Sequence, residues 1–293
     1  QVLNVSIGVF GDRFGQIAET YGATVKKLNF EWGTAADPEQ IRQTLRDNPN
    51  IKAVSVTHNE TSTGVTNDIE SIASVVKKEF NKLLLVDGVS SVSSIPCLTD
   101  DWELDVTASG SQKGWMVPPG LAFVAVSPRA WEAAQEAKMP RFYFDFGKAK
   151  SYLDRGENPW TPVLSVMFAM DLALEKISAE GLTNVFARHA RLAQFTRDGV
   201  KNLGLELFAD ERYASDTVTS IRLPEGLDGS KLSQILRTEH DVVVGGGQAS
   251  LAGKIIRIGH MGYVSEEDLQ NTLDALRIAL TTLGFAPATI GRS

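Results

Sequence analysis

A lysine within a glycine- and serine-rich stretch, Ser109-Gly110-Ser111-Gln112-Lys113-Gly114, is the first of three features that could carry chemistry. The second is a carboxylate, Asp87, which follows the apolar run Leu83-Leu84-Leu85-Val86 and precedes Gly88-Val89-Ser90-Ser91. The third is a hydroxyl-rich stretch, Thr57-His58-Asn59-Glu60-Thr61-Ser62-Thr63-Gly64, placed after Ala53-Val54-Ser55-Val56. Taken singly, each has a plain structural explanation. Loop lysines are usually solvated, an Asp after a strand often caps a helix, and Ser/Thr clusters build turns. Together they are the parts that pyridoxal phosphate chemistry needs. A lysine amine forms a Schiff base with the cofactor aldehyde, and a carboxylate keeps the ring nitrogen protonated. The cationic ring then accepts electrons as the substrate Cα loses its proton, and the displaced lysine is the base that moves that proton.

For these segments to meet, three strand ends must share one rim, and in open α/β sheets that rim is where ligands bind. The pattern supplies such strands. Helical spacing covers residues 12–21 and 68–80, and Asp37 with Pro38 marks a helix start. Extended segments are expected at 25–28, 53–57, 83–86, 105–109 and 121–126. The run 83–86 is apolar throughout, which predicts a strand buried on both faces. Repeated strand–helix units imply an α/β fold with a mostly parallel sheet. Beyond Pro162 the texture changes to long helices at 163–178 and 183–203, strands at 205–208, 217–222, 242–244 and 255–258, and helices at 229–239 and 265–283. The division predicted is a large α/β domain over 1–165 and a smaller α+β domain over 166–293, hinged around 165–185. Residues 1–8 read as a strand without an initiator Met, so the chain is expected to begin inside a longer protein.

The residues also carry a resemblance. Val86-Asp87-Gly88-Val89-Ser90-Ser91 and the stretch Ser109-Gly110-Ser111-Gln112-Lys113-Gly114-Trp115-Met116-Val117-Pro118-Pro119-Gly120 resemble the fingerprints of class V aminotransferases, nearest to the alanine/serine–glyoxylate group. Gly8-Val9-Phe10-Gly11-Asp12-Arg13-Phe14, the 57–64 stretch and Arg257-Ile258-Gly259-His260-Met261-Gly262 match that group in the same order. The resemblance implies a pyridoxal-phosphate-dependent transferase of fold type I and a homodimer with sites built between subunits. It implies Lys113 as the covalent lysine and Asp87 as the partner of the pyridine nitrogen. Phe10 would stack on the cofactor ring, Val89 would pack on its other face, and Ser62 would contact the ring hydroxyl. Gln112 would hydrogen-bond nearby, and Trp160-Thr161 would reach the neighbouring subunit's site near the phosphate. Arg257 would hold the substrate carboxylate, a task suited to its planar fork. The family's glycine-rich phosphate loop and N-terminal arm lie upstream of the segment matching Gly8–Arg13, so the resemblance implies that this chain lacks them. The reaction implied is transamination between alanine or serine and glyoxylate or a similar 2-oxo acid.

Rival readings are weaker. A cysteine desulfurase of the same fold carries His before its lysine and a reactive Cys far downstream; here Gln112 precedes Lys113, and the single Cys97 lies upstream. A phosphoserine aminotransferase keeps Gln-Lys without the Val117-Pro118-Pro119-Gly120-Leu121-Ala122-Phe123 context. Some cyanobacterial relatives are labelled soluble hydrogenase subunits, but one cysteine cannot build a nickel–iron or iron–sulfur centre, which leaves only an accessory role there. Gly245-Gly246-Gly247-Gln248-Ala249-Ser250-Leu251-Ala252-Gly253-Lys254 imitates a nucleotide phosphate loop, yet has Gln where the pattern needs Gly and Ile255 where it needs Ser or Thr. It is read instead as a loop over the active-site mouth. The four histidines show no metal spacing, and helical His189 is expected on the surface. With 29 basic against 36 acidic residues the net charge is −7, without a basic run. Neither nucleic acid nor an anionic membrane is expected as a partner. No apolar run approaches a bilayer span and no signal pattern opens the chain, so a cytoplasmic location is expected.

Overall fold

Leu3 and Val5 alternate with Asn4 and Ser6 along the first strand, and all four are buried because both faces of that strand are covered. The computed structural model describes residues 1–285. Strand β1 (Val2–Ser6), helix α1 (Val9–Thr20), β2 (Val25–Asn29), α2 (Pro38–Asp47) and β3 (Ala53–Thr57) follow the alternation read from the sequence. Asp37 caps α2 by accepting the Glu39 N–H, with Pro38 at the first helical position. The hydroxyl-rich stretch folds back as a hairpin of β4 (Asn59–Glu60) and β5 (Val65–Thr66). Next come α3 (Ile69–Ala73), β6 (Leu83–Asp87), β7 (Val106–Gly110) and β8 (Ala122–Val126). The sheet order is β2-β1-β3-β6-β7-β8, parallel throughout except for the last pair. β3, β6 and β7 are therefore neighbours, and their C-terminal ends share one rim.

Two local expectations need correction. The helix expected over 68–80 widens into a π-helix from Ser74 to Glu79, which buries Lys77 against Asp105 in an ion pair. Asp105 also accepts the Leu84 N–H at 2.8 Å and the Ser127 hydroxyl at 3.0 Å, so the buried charge is well compensated. Strand β6 is not buried on both faces: Leu84 and Val86 enter the core, while Leu83 and Leu85 are half-buried. Leu85 lines an apolar groove with Phe14, Ile17 and Trp131 instead.

The second half holds α4 (Pro128–Gln135), α5 (Phe146–Leu153), α6 (Leu164–Glu180), α7 (Leu182–Asn202), β9 (Val218–Arg222), α8 (Gly229–His240), β10 (Gly245–Gly246), β11 (Ile255–Gly259) and α9 (Glu266–Thr282). Gly181 separates α6 from α7 at φ 81°, a left-handed conformation that glycine adopts without strain. β11 lies between β9 and β10, antiparallel to both. The strands expected at 205–208 and 242–244 do not form. Leu207 makes only one bridge, to Ile221, and Val242 and Val244 pack sideways on the second core, leaving pairing to begin at Gly245. That core gathers Leu192, Ile221, Leu232, Leu236, Ile256 and Leu276, apart from the one built on β1, β3 and β6. Among the described residues, no helix is long and apolar enough to cross a membrane.

Candidate active site

Asp87 is the last residue of β6 and is pinned by its own turn. Its Oδ1 accepts the Val89 N–H at 3.0 Å, and Gly88 N–H donates to Ala108 O of β7 at 2.9 Å. A Cβ at Gly88 would lie 2.7 Å from Val92, so this close turn needs glycine. Burial pushes the Asp87 carboxyl up; the Val89 N–H and the charges of Lys113 and Arg13 pull it back.

Lys113 lies three residues beyond β7. The loop that carries it is folded on itself: Met116 N–H donates to Lys113 O at 3.0 Å, Ser111 Oγ donates to Pro118 O at 2.8 Å, and Trp115 Nε1 donates to Ser109 Oγ at 2.9 Å. Met116 closes the turn in the left-handed region, at φ 66°. The Lys113 amine is held below the usual lysine range, first by burial and then by the charge of Arg257, with Asp87 opposing. Neither the Lys113 amine nor Asp87 Oδ2 has a hydrogen-bond partner among the described residues.

On the other side of the rim, Ser62 and Phe10 are tied together. Ser62 Oγ accepts the Val9 N–H at 3.0 Å and donates to Glu60 Oε1 at 2.6 Å. Phe10 lies in the first turn of α1, half-buried, with the Arg13 guanidinium 5.0 Å from its ring centroid. Arg257, on β11, reaches across: its Nη1 donates to Thr61 O at 2.9 Å and its Nε to Gly246 O at 3.0 Å. The 245–254 stretch thus stands beside Arg257, with β10 paired to β11.

Three candidate site residues, Gln112, Trp160 and Thr161, stand apart, and His189 departs from its expected place. Gln112 is exposed and makes no hydrogen bond among the described residues. Trp160 stacks on Tyr143, with ring centroids 5.1 Å apart, and donates Nε1 to Tyr143 O at 3.0 Å. Neither it nor the exposed Thr161 is hydrogen-bonded to Asp87 or Lys113. His189 is wholly buried rather than on the surface. Its Nδ1 donates to Val185 O at 2.7 Å and its Nε2 accepts the Gly262 N–H at 3.0 Å, which fixes a neutral ring. Helical spacing alone does not reveal that a polar residue faces a backbone donor from another segment.

Glu60 was missed as a site residue. It is fully buried, and its carboxylate accepts from the Phe10, Gly11 and Ser62 amides. Its signal was present: it is the only charged residue between Lys52 and Asp68.

The donor set suits pyridoxal phosphate. A depressed amine and a carboxylate with an open oxygen stand on adjacent strand ends, while a ring, a hydroxyl and a guanidinium close the other side. Among the described residues no group of three His, Cys, Asp or Glu side chains could hold a metal ion. Burial also pushes the Cys97 thiol up to about 11, which leaves it a poor nucleophile. The profile of the family "Aminotransferase class-V" matches residues 14–272. The chain belongs to the class-V aminotransferases. It is 42% identical to "Soluble hydrogenase, small subunit" of Synechococcus sp., over 97% of this chain and 74% of that protein. It is 38% identical to "Serine--glyoxylate aminotransferase" of Methylorubrum extorquens, over 97% and 73%. Among solved structures, pyridoxamine-pyruvate aminotransferase from Mesorhizobium loti superposes with a TM-score of 0.94 at 33% identity, covering 98% of this class-V aminotransferase and 74% of that chain.

Proposed function

We propose that this aminotransferase binds pyridoxal phosphate between Asp87 and Lys113 and moves an amino group between a small amino acid, alanine or serine, and glyoxylate or a similar 2-oxo acid. The observation that carries this reading is the placement of the Lys113 amine, unpartnered among the described residues, and the open Asp87 oxygen beyond the ends of the paired strands β7 and β6, where the charges of Asp87 and Arg257 both act on the amine. Relatives named for serine–glyoxylate and pyridoxamine–pyruvate exchange support the substrate class.

When bound, pyridoxal phosphate supplies an aldehyde that amines can capture and a ring that draws off the electron pair released at Cα. Asp87 holds the proton on the ring nitrogen. Lys113 would hold the cofactor at rest, and its neutral amine would carry the proton from the substrate Cα to the former aldehyde carbon. Burial and the nearby arginine keep that amine unprotonated at lower pH than a solvated lysine. Arg257 grips the substrate carboxylate, its orientation set by Thr61 O and Gly246 O. Phe10 and Val89 would flank the ring and Ser62 would meet its hydroxyl; Gln112, exposed and without a hydrogen-bond partner among the described residues, would be free to bond to the cofactor.

We assign Trp160 and Thr161 to the partner's site in a homodimer; in their own chain neither is hydrogen-bonded to Asp87 or Lys113. Exposed Phe142, Phe144, Leu153, Leu164, Phe168 and Leu172 are apolar surface that such a partner would cover. We place the domain division near residue 165, on the strength of the cores built on β1, β3 and β6 and around Leu192, Leu232 and Leu276; a smaller cluster of Val117, Val166 and Met170 packs α6 onto the first domain.

Borohydride reduction of the cofactor-loaded protein followed by peptide mapping is expected to mark Lys113, and Lys113→Ala to abolish both the mark and turnover. A mark at another lysine overturns the assignment. Light scattering is expected to give a mass of two chains; a monomer that turns over would refute the shared site.

A further inference from the structure

Helix α1 begins without a capping side chain of its own. Its N-cap is Gly8, and the free amides of its first turn are answered from a segment fifty residues away. Glu60 Oε2 accepts the Phe10 N–H at 3.1 Å and the Gly11 N–H at 2.9 Å, while Oε1 accepts the Ser62 N–H at 3.1 Å and the Ser62 hydroxyl at 2.6 Å. Ser62 Oγ in turn takes the Val9 N–H at 3.0 Å. Gly8 is extended, at φ 170°, so its backbone would suit any residue. What requires glycine is space: a Cβ there would lie 2.5 Å from Glu60 Cγ and 2.6 Å from Ser62 Oγ.

We propose that Glu60 is a positioning residue of the cofactor site, holding Phe10 and Ser62 in fixed relation from one carboxylate. The inference rests on the pyridoxal phosphate reading above. A simple helix cap would serve α1 alone; here Oε1, which also takes the Phe10 N–H at 3.3 Å, accepts both the amide and the hydroxyl of Ser62, the other residue assigned to the cofactor. Thr61, between Glu60 and Ser62, offers its carbonyl to Arg257, so the substrate arginine leans on the same knot. Four donors and no acceptor converge on the carboxylate, which only an acceptor-only group satisfies. A glutamine would turn its NH₂ toward two of those donors and release either α1 or Ser62. Burial pushes the Glu60 carboxyl up, and the hydrogen bonds from Ser62, Gly11 and Phe10 oppose that push, so these donors are what hold the charge in place.

The test uses equilibrium titration of the cofactor-free full-length protein with pyridoxal phosphate, read by fluorescence and by the visible band of the adduct. Glu60→Gln is expected to weaken binding about tenfold or more and to move the pH at which the band changes. Glu60→Asp, which keeps the charge but not the reach, is expected to fall between. Leu280→Ala, in the second core, serves as a stability control: it should lower the melting temperature while leaving affinity within about twofold and the band unmoved. If Glu60→Gln fails to fold, Glu60→Asp is judged on the same two readouts. Affinity and band titration at wild-type values in the folded Glu60 variant would overturn the proposal. A wild-type protein that takes up no pyridoxal phosphate would instead overturn the cofactor reading beneath it.

Discussion

The amine of Lys113 feels two opposed charges, Arg257 lowering its proton affinity and Asp87 raising it, on top of the dominant effect of burial. Removing each charge should therefore move the lysine in opposite directions. Arg257→Ala relieves repulsion on the ammonium form, so the pKa should rise and the acidic limb of the pH–rate profile should shift to higher pH. Asp87→Asn removes an attraction, so the same limb should shift to lower pH. The pH dependence of Lys113 acylation in the cofactor-free protein, followed by peptide mass, reads the same quantity without turnover. Shifts of the same sign would contradict the arrangement. At this scale Asp87 and Lys113 could be singled out only as a constellation, because an Asp after a strand and a lysine in a loop are each ordinary alone. Glu60 could not be, because its importance lies in the four donors around it, two of which belong to α1.

Among the elements, the β10–β11 pair shows how a backbone sets a side chain. Gly246 O accepts from Arg257 Nε, and the next residue, Gly247, donates its N–H to Ile255 O at 3.1 Å. A Cβ on Gly247 would fall 1.9 Å from Leu251 O and 2.5 Å from Leu251 C, backbone atoms that cannot step aside alone. Gly247→Ala is thus expected to cost about 1–3 kcal/mol and to raise KM for the amino acid more than it lowers kcat, by displacing the carbonyl that orients Arg257. Gly259→Ala, whose Cβ would meet open space, is the comparison and should be nearly neutral in chemical denaturation. Equal stability of the two variants would show that the loop repacks freely. The spurious strands at 205–208 and 242–244 belong to this scale too. Short apolar runs look alike whether they pair or pack sideways, and only the partner decides.

Across the whole molecule, buried polar groups join what the two cores keep apart. Asn59 donates to Ser90 Oγ at 3.0 Å and to Thr217 Oγ1 at 2.9 Å, and accepts from Ser215 Oγ at 2.6 Å and Thr66 Oγ1 at 2.8 Å. That one amide links the turn after Asp87 to the segment entering β9, the strand paired with the Arg257 strand. Nearby histidines make the assembly acid-sensitive. Burial lowers His58 to about 4 and His260 to about 3, from an ordinary 6.5, and lowers His189 as well. The unfolded chain therefore binds protons below about pH 6.5 that the native state refuses. The stabilising contribution is intact above that pH and is lost as pH falls toward the folded values, at about 1.4 kcal/mol per pH unit per histidine. Urea midpoints measured from pH 7.5 to 4.5 should fall more steeply for the wild type than for His260→Gln. Parallel curves would refute the neutral, buried His260.

Strand–helix alternation and the parallel α/β class followed from the sequence alone, because periodicity and turn residues are local properties of the chain. The rim itself also followed, since β3, β6 and β7 had only to be adjacent for their ends to meet. What the tertiary structure decided is everything that depends on a partner distant in sequence. It buried His189 beneath the Gly262 amide, opened a π-turn to seat Lys77 on Asp105, left Leu85 half-covered, and hung the start of α1 on Glu60. Each is a hydrogen bond or contact between segments tens of residues apart. A one-dimensional pattern can supply the donor and the acceptor, but only the fold brings them within 3 Å of each other.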